Sequence, residues 1–437
     1  MVGGERAVAR CDALGVAPYS DMAGGLYRGY LTPAYGAAQS ALGEWMAEAG
    51  MAVRLDPAAN LIGRYEGDDP ASPALLIGSH LDSVRDGGRY DGPLGIMLGV
   101  EAVAALSDAG RRMPFPIEVI AFGDEEGSRF PAAMLTSRAV AGTLDAVPFE
   151  MADREGVTLE AALSAHPPFV LSEVEGRAAN AASGIRASTA LSTNGYLGAA
   201  RAPGTTLAYL EAHIEQGPVL EAEGLAIGTV TGIAAQLRYQ VVVKGVAGHA
   251  GTATMTLRRD ALAGAAEMML AIEAVAREDL SDLVATVGRI EALPGAPNVI
   301  PGEVRFTIDV RSGDAARRDR AAGIIQQKIA AIAETRGLDI AIERIHDLPA
   351  SPCDPALMDL MDEAVAATGW KPRRLVSGAG HDAMVMAALC PTAMLFVRCR
   401  GGISHNPAEH VEPADAEIAL QVMLGFIERL GARFGNA

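Results

Sequence analysis

Cysteine is scarce in this chain: there are four in 437 residues, Cys11, Cys353, Cys390 and Cys399, and no two form a Cys-x-x-Cys pair. That argues against a disulfide framework and a thiolate zinc site, and reads as free core thiols in a reducing compartment. Positive charge is in deficit as well. Lys and Arg number 36 against 54 Asp and Glu, a formal charge of −18, which repels polyanions and disfavours nucleic acid as a partner. A small anionic substrate is still admissible, because one local arginine outweighs a diffuse field. No apolar run is long enough to span a bilayer. The first residues, Met1-Val-Gly-Gly-Glu-Arg, lack the apolar stretch of a signal peptide. The expectation is a cytoplasmic protein with no membrane partner. Hydrophobic residues are 50% of the chain and charged ones 21%, a globular balance, and the length exceeds one ordinary core, so two domains are expected.

Against those shortages stand five segments dense in metal-seeking side chains. They are Gly78-Ser79-His80-Leu81-Asp82, Tyr90-Asp91-Gly92, Asp124-Glu125-Glu126-Gly127, His213-Ile214-Glu215-Gln216-Gly217 and Ser404-His405-Asn406. Three imidazoles with several carboxylates is the ligand set of a two-zinc hydrolytic site. Each segment alone has a plainer meaning. A lone His80 is more often a satisfied core histidine, an Asp-Glu-Glu run a solvated turn, and Asp91-Gly92 a turn. Their joint occurrence at strand ends carries the argument. His80 and Asp82, two apart on an extended chain, face the same side, so Asp82 can orient the imidazole or groups near it. Asp91 can bridge two cations with its two oxygens. Glu125 and Glu126 are adjacent and cannot easily face one point, so one ligates while the other serves as base.

The coarse pattern places these motifs. Residues 37–50 read as a helix stopped by Gly50. Ala74-Leu-Leu-Ile is a strand running into His80, 93–109 a helix, and Ile117-Glu-Val-Ile-Ala-Phe a strand running into Asp124. Strand, helix, strand at this spacing predicts a mostly parallel α/β sheet, with sites at the strand C-termini. Residues 166–202, rich in Ala, Ser, Thr, Gly and Asn, read as a flexible insertion. From about 229 to 348 strands near 238–244, 283–288, 303–311 and 338–343 alternate with helices near 258–276 and 315–336. That β-α-β-β-α-β order is the ferredoxin-like unit, inserted between catalytic segments 1–228 and 349–437. Met394-Leu-Phe-Val then leads to His405.

These motifs resemble the amidase branch of the two-zinc aminoacylase and carboxypeptidase family, which includes allantoate amidohydrolase, N-carbamoyl-L-amino-acid hydrolase and β-ureidopropionase. The resemblance runs from about Tyr30 to His410, the 166–202 insertion apart. It is carried by Gly-Ser-His80-Leu-Asp82, Gly-Asp-Glu125-Glu126-Gly, His213-Ile-Glu-Gln216-Gly, His249-Ala-Gly-Thr, Pro-Asn298-Val-Ile-Pro-Gly, Asp-Val-Arg311-Ser, Gly-Ala-Gly380-His381-Asp and Ile-Ser-His405-Asn-Pro-Ala-Glu409. His213 in that setting marks the amidase branch, since peptidase relatives usually place a carboxylate there. The resemblance implies one zinc on His80, Asp91 and His213 and a second on Asp91, Glu126 and His405, with Mn, Co or Ni as substitutes. It implies Glu125 as general base, Asp82 behind the metals, and Gln216, His249, Asn298, Arg311, Gly380 and His381 on the substrate. It also implies a homodimer through the inserted lid domain. Arg311 offers a planar fork to a carboxylate and His249 a donor to a developing oxyanion. The plainer readings are a solvated arginine, a loop histidine and, for Asn298, a turn cap. Thr254 stands where the family has proline, which would loosen the turn carrying His249. The implied reaction is hydrolysis of the terminal ureido group of a small acid, releasing ammonia and carbon dioxide. Allantoate is favoured, on the segments Gln236-Leu-Arg-Tyr239 and Leu-Arg-Arg259-Asp. N-carbamoyl-L-amino acids and β-ureidopropionate follow. An aminoacylase or peptidase, and a non-catalytic binding protein on the same fold, are the contrary readings; His213 and Gln216 argue against the first and the retained Glu125 against the second.

Overall fold

The computed structural model describes residues 3–167 and 193–434. Contacts divide the chain into two units. One takes Met1–Thr231, Cys353–Leu375 and His381–Ala437; the other takes Gly232–Pro352 and Val376–Gly380. No helix of the described residues is long and apolar enough to cross a membrane.

The first unit is built on a sheet whose strands lie in the order Ala52–Leu55, Leu61–Tyr65, Ile117–Phe122, Ala74–His80, Thr206–Ile214, Thr392–Val397, Ile227–Ile233. The four from Ile117–Phe122 to Thr392–Val397 are parallel, and the flanking pairs are antiparallel. Every residue of Ala74–His80 and Ile117–Phe122 is buried. Parallel strands covered on both faces read as continuous apolar runs, not as alternation. Glu118 is the exception inside its strand, and it is held by Arg64 at 2.9 Å and Arg201 at 2.6 Å.

Capping chemistry sets the helix ends. Pro33–Glu48 starts at Thr32, whose side chain accepts from the Tyr35 N–H, with Pro33 in the first turn. It stops before Gly50, which has φ +90°. Pro93–Asp108 is buried along nearly its whole length. It can approach the sheet so closely because Gly95 and Gly99 have no Cβ: one at Gly95 would overlap the Ala212 carbonyl, and one at Gly99 would press on Ile77. The helix therefore seats directly on the two strands that carry His80 and His213.

The expected insertion at 166–202 is only partly loop-like. Its middle, 168–192, lies outside the described residues. Its flanks are packed: Tyr196, in a 3-10 turn at Thr193–Ala199, is wholly buried, with Phe149 edge-on at 6.0 Å. His166 is buried with Nε2 2.8 Å from Gln39 Oε1. The amide oxygen only accepts, so Nε2 carries the proton, and Nδ1 is a buried lone pair with no partner among the described residues. Burial, and then Arg129, hold this imidazole down to about 4. An imidazole in the unfolded chain titrates near 6.5. A depressed base contributes stability that is present above its unfolded pKa and is lost as pH falls towards the folded one. Urea unfolding of His166→Gln should therefore show a smaller loss of stability between about pH 7 and 5 than the parent. Parallel losses in the two proteins would contradict this account of His166.

The second unit is antiparallel throughout, in the order Ile290–Leu293, Glu303–Ser312, Ala235–Lys244, Asp339–Leu348, with Val284–Thr286 also paired to Glu303–Ser312. Helices Ala261–Glu278 and Ala315–Arg336 cover one face, packing Met268, Ile272, Ile325 and Ile329 against Val241, Val243, Phe306 and Ile308. One-sided burial explains the alternation along its strands. The first helix begins at Ala261, not 258, because the Asp260 side chain accepts from the Leu262 and Ala263 N–H groups. Residues 376–380, expected with the catalytic segments, group with this unit instead. The Ser377 carbonyl takes the Ala234 N–H at 2.8 Å, and the Gly378 carbonyl takes Arg311.

Candidate active site

All four parallel strands of the first unit end on chemistry. His80 closes Ala74–His80, opposite Phe122 in register, and the Asp124–Glu126 turn follows Phe122. His213 is next to last in Thr206–Ile214, opposite Phe396, and His405 lies in the turn after Thr392–Val397. This is the C-terminal edge where open α/β sheets place their sites. Asp91 stands at the head of helix Pro93–Asp108, where the helix dipole favours an anion. Gly92, at φ +84°, admits no side chain there, since a Cβ would meet the His80 ring.

Asp91 is the shared centre of the arrangement. Its Oδ1 lies 3.2 Å from His213 Nε2 and 3.8 Å from His80 Nε2. Its Oδ2 lies 3.3 Å from His405 Nε2, which is itself 3.4 Å from Glu126 Oε1. Glu125 Oε2 is 4.0 Å from His80 Nε2. Two backbone carbonyls decide the tautomers. His80 Nδ1 is 3.0 Å from the Asp82 carbonyl and His213 Nδ1 2.9 Å from the Ile214 carbonyl. A carbonyl only accepts, so both Nδ1 atoms carry protons and both Nε2 atoms face Asp91.

The electrostatics describe a pocket with too much negative charge for protein cations to balance. Burial, then Glu126, Asp382 and Asp82, push the Glu125 carboxyl well above its ordinary range. Burial and Asp91 raise Glu126 to about 8. Burial raises Asp82 to about 7 against the pull of the Glu125, Glu126 and Asp82 backbone N–H groups. Burial would lower His213, but Asp91 outweighs it and brings the imidazole to about 9; Asp91 takes His405 to about 9 as well. These groups hold protons where bound cations would otherwise supply the charge. The donor set fits that reading. His213 Nε2 is buried with Asp91 Oδ1 at 3.2 Å and makes no well-formed hydrogen bond among the described residues. The groups His80, Asp91, His213 and Asp91, Glu126, His405 each offer ligand atoms within 4.8 Å of one another. Nitrogen and oxygen donors without sulfur suit Zn, Mn, Co or Ni. His405 is half exposed, which leaves that side open to a substrate.

Backbone strain concentrates here. Asp124, Gln216 and His405 have φ of +59°, +54° and +53°, a left-handed conformation uncommon for residues with a side chain. At Asp124 it turns the chain so that the N–H groups of Glu125 and Glu126 reach the Asp82 carboxylate at 3.2 and 3.3 Å. Asp82 thus holds the backbone of the two glutamates, while His80 is oriented by the Asp82 carbonyl. Gln216 donates to both Asp91 oxygens at 3.1 and 3.0 Å and to Ser404 Oγ at 2.9 Å. His381 is buried with its ring 4.4 Å from that of His213.

The other residues singled out in the sequence belong to the second unit. His249 and Asn298 come together there: the Asn298 carbonyl accepts from Ala250 N at 2.9 Å, and His249 is exposed with Nδ1 accepting from Gly251 N at 3.1 Å. With threonine at 254, Arg258 closes this turn by donating to the Ala250 and Ala253 carbonyls. Arg311 is gripped by Asp309 at 2.7 and 3.0 Å and shares a pocket of about 520 Å³ with Arg238, Thr286, Thr307 and Gly378. Gly380 is the last residue of this unit. The sequence assigned no role to Ser404, Glu409, Glu211 or Arg28. Glu211 is buried behind His213 and accepts from Ser79, Tyr209 and the Ala383 N–H. Arg28 is buried and donates to the Leu81, Leu14 and Tyr19 carbonyls. Ser404 and Glu409 fall inside a motif that was noted; for Arg28 no local signal existed.

Residues 76–429 match the family model described as Peptidase family M20/M25/M40. The chain is 39% identical over 423 residues to an N-carbamoyl-L-amino acid amidohydrolase of Geobacillus stearothermophilus, covering 97% of both. It is 39% identical over 440 residues to a probable allantoate deiminase of Oryza sativa subsp. japonica, covering 94% of this chain and 85% of that one. A hydantoinase/carbamoylase family amidase from Burkholderia ambifaria, known by crystal structure, superposes with a TM-score of 0.84 at 36% identity, over 98% of this chain and 97% of the other.

Proposed function

The chain belongs to peptidase family M20/M25/M40, and on that footing we propose that it hydrolyses the terminal ureido group of a small acid, allantoate first among candidates, releasing ammonia and carbon dioxide. It is a hydrolase of carbon–nitrogen bonds other than peptide bonds. The observation that carries the reading is Asp91, with one oxygen towards His80 and His213 and the other towards His405 and Glu126. His80, Asp91 and His213 would hold one divalent cation, zinc foremost, and Asp91, Glu126 and His405 a second. When bound, the pair supplies acidification of the attacking water and polarisation of the ureido carbonyl.

The chain's own groups do the rest. Glu125, its Oε2 4.0 Å from His80 Nε2, would take a proton from the attacking water and deliver it to the leaving nitrogen. The water oxygen bonds to the ureido carbon and the bond to the terminal nitrogen breaks, so ammonia leaves. The remaining carbamate loses carbon dioxide and frees the amine. Asp82 keeps Glu125 and Glu126 in place through their backbone N–H groups. Arg311 would take the substrate carboxylate in exchange for Asp309, and His249 would donate to the developing oxyanion. Gln216, Asn298, Gly380 and His381 would complete the contacts. The second unit would act as a lid whose closure excludes water, and as the surface of a homodimer.

Allantoate is supported by the Gln236–Tyr239 and Leu257–Asp260 segments and by the rice relative, and would place the enzyme in purine breakdown. The equal identity to the Geobacillus protein supports N-carbamoyl-L-amino acids as the second reading. The test is ammonia release from allantoate, β-ureidopropionate and a panel of N-carbamoyl-L-amino acids at matched metal content. A kcat/KM for allantoate above all others is expected. Preference for a carbamoyl amino acid keeps the mechanism and overturns the substrate.

A further inference from the structure

One short turn grips Asp91 from several sides. Ser404 Oγ donates to Asp91 Oδ2 at 2.8 Å, and His405 Nε2 lies 3.3 Å from the same oxygen. Glu409, four residues on, reaches the backbone: its Oε1 accepts from Tyr90 N at 2.8 Å and from Asp91 N at 3.1 Å. The turn is bent to make this reach. His405 has φ +53°, the Asn406 side chain accepts from Ala408 N at 2.9 Å, and the Asn406 carbonyl accepts from Glu409 N at 3.0 Å.

The receiving side is shaped for the same contact. Glu409 is buried, and its carboxylate occupies the space a Cβ at Gly88 would need. Tyr90 is fastened at its far end by a 2.8 Å hydrogen bond from its hydroxyl to Asp12, and its ring meets His410 edge-on at 6.1 Å. A carboxyl oxygen that accepts from two consecutive backbone N–H groups is held in a fixed direction. These two bonds restrain the backbone leading into the Asp91 Cα, and Ser404 with Gln216 restrains the side chain beyond it.

We propose that Glu409 and Ser404 are positioning residues: they fix the Asp91 carboxylate in its bridging orientation and so set how tightly the paired cations are held. The proposal rests on Asp91 being the shared ligand. Groups that support a metal ligand without touching the metal typically contribute 10- to 100-fold in affinity.

The experiment compares Glu409→Ala, Glu409→Gln and Ser404→Ala with the parent. Zn²⁺ affinity is read by chelator competition, the Co²⁺-loaded protein by visible absorption, and the metal-free protein by thermal melting. Glu409→Ala should bind Zn²⁺ about 10- to 100-fold more weakly and show an altered Co²⁺ spectrum. Glu409→Gln keeps an oxygen for both N–H groups and should recover most of that affinity. Ser404→Ala should weaken binding by a smaller factor. A Glu409→Ala protein that melts lower yet keeps the parent's Zn²⁺ affinity and Co²⁺ spectrum makes the residue a structural tie only and overturns the proposal. Should Glu409→Ala fail to fold, Ser404→Ala decides, and unchanged affinity there overturns it equally. A parent protein that binds neither cation sinks the shared-ligand reading itself, which is a separate failure.

Discussion

Glu125→Gln should keep its full complement of metal and lose turnover by about 10²- to 10⁴-fold, the range for removing a positioned general acid–base group. The amide matches the carboxylate in shape, so the Asp82 bonds to the Glu125 and Glu126 N–H groups survive. What disappears is the capacity to take up and return a proton. Glu125 is placed for that task, its Oε2 4.0 Å from His80 Nε2 at the edge of the ligand cluster. The measurement is kcat beside metal content for both proteins. A variant within about tenfold of the parent would remove Glu125 from the base role.

The second large effect is expected at Asp91. Asp91→Asn keeps the shape and can still accept from Ser404, but it loses one anionic oxygen of the pair that faces His213 on one side and His405 on the other. Binding of the second cation should fail, and turnover should fall by about 10³-fold or more, since the polarising and water-activating functions need the pair. Metal analysis after dialysis, run beside ammonia release, reads both consequences. Two tightly held cations in Asp91→Asn with turnover near the parent's would show that Asp91 is not shared.

The difference between what the sequence revealed and what it concealed follows the range of the interactions. Strands buried on both faces announce themselves as apolar runs, so Ala74–His80 and Ile117–Phe122 were legible along with the motifs at their ends. The alternation in the second unit and the Gly50 stop are equally local. Cap positions were less visible: Asp260 moved a helix start by three residues through two hydrogen bonds that no periodicity records. Tyr196 was hidden by its polar, small-residue surroundings, although one large ring is enough to anchor a turn in the core. The coming together of His80, Asp91, Glu125, Glu126, His213 and His405 was readable because each is a metal-seeking type at a strand or helix end. Glu409 was not, because its partners Tyr90 and Asp91 lie more than 300 residues away. Nor does its residue type distinguish a carboxylate that binds backbone N–H groups from one that faces solvent. Arg28, satisfied by three backbone carbonyls, is of the same kind: what it touches is decided by the fold alone.

The most direct test of the two-cation ureido hydrolase is to strip the protein of metal, return Zn²⁺ or Mn²⁺ stepwise, and follow ammonia release from allantoate at each step. The account predicts negligible release without metal and a rise to a plateau near two cations per chain. Ammonia release at full rate from the stripped protein would contradict it. So would a fully loaded protein that releases none from any ureido acid.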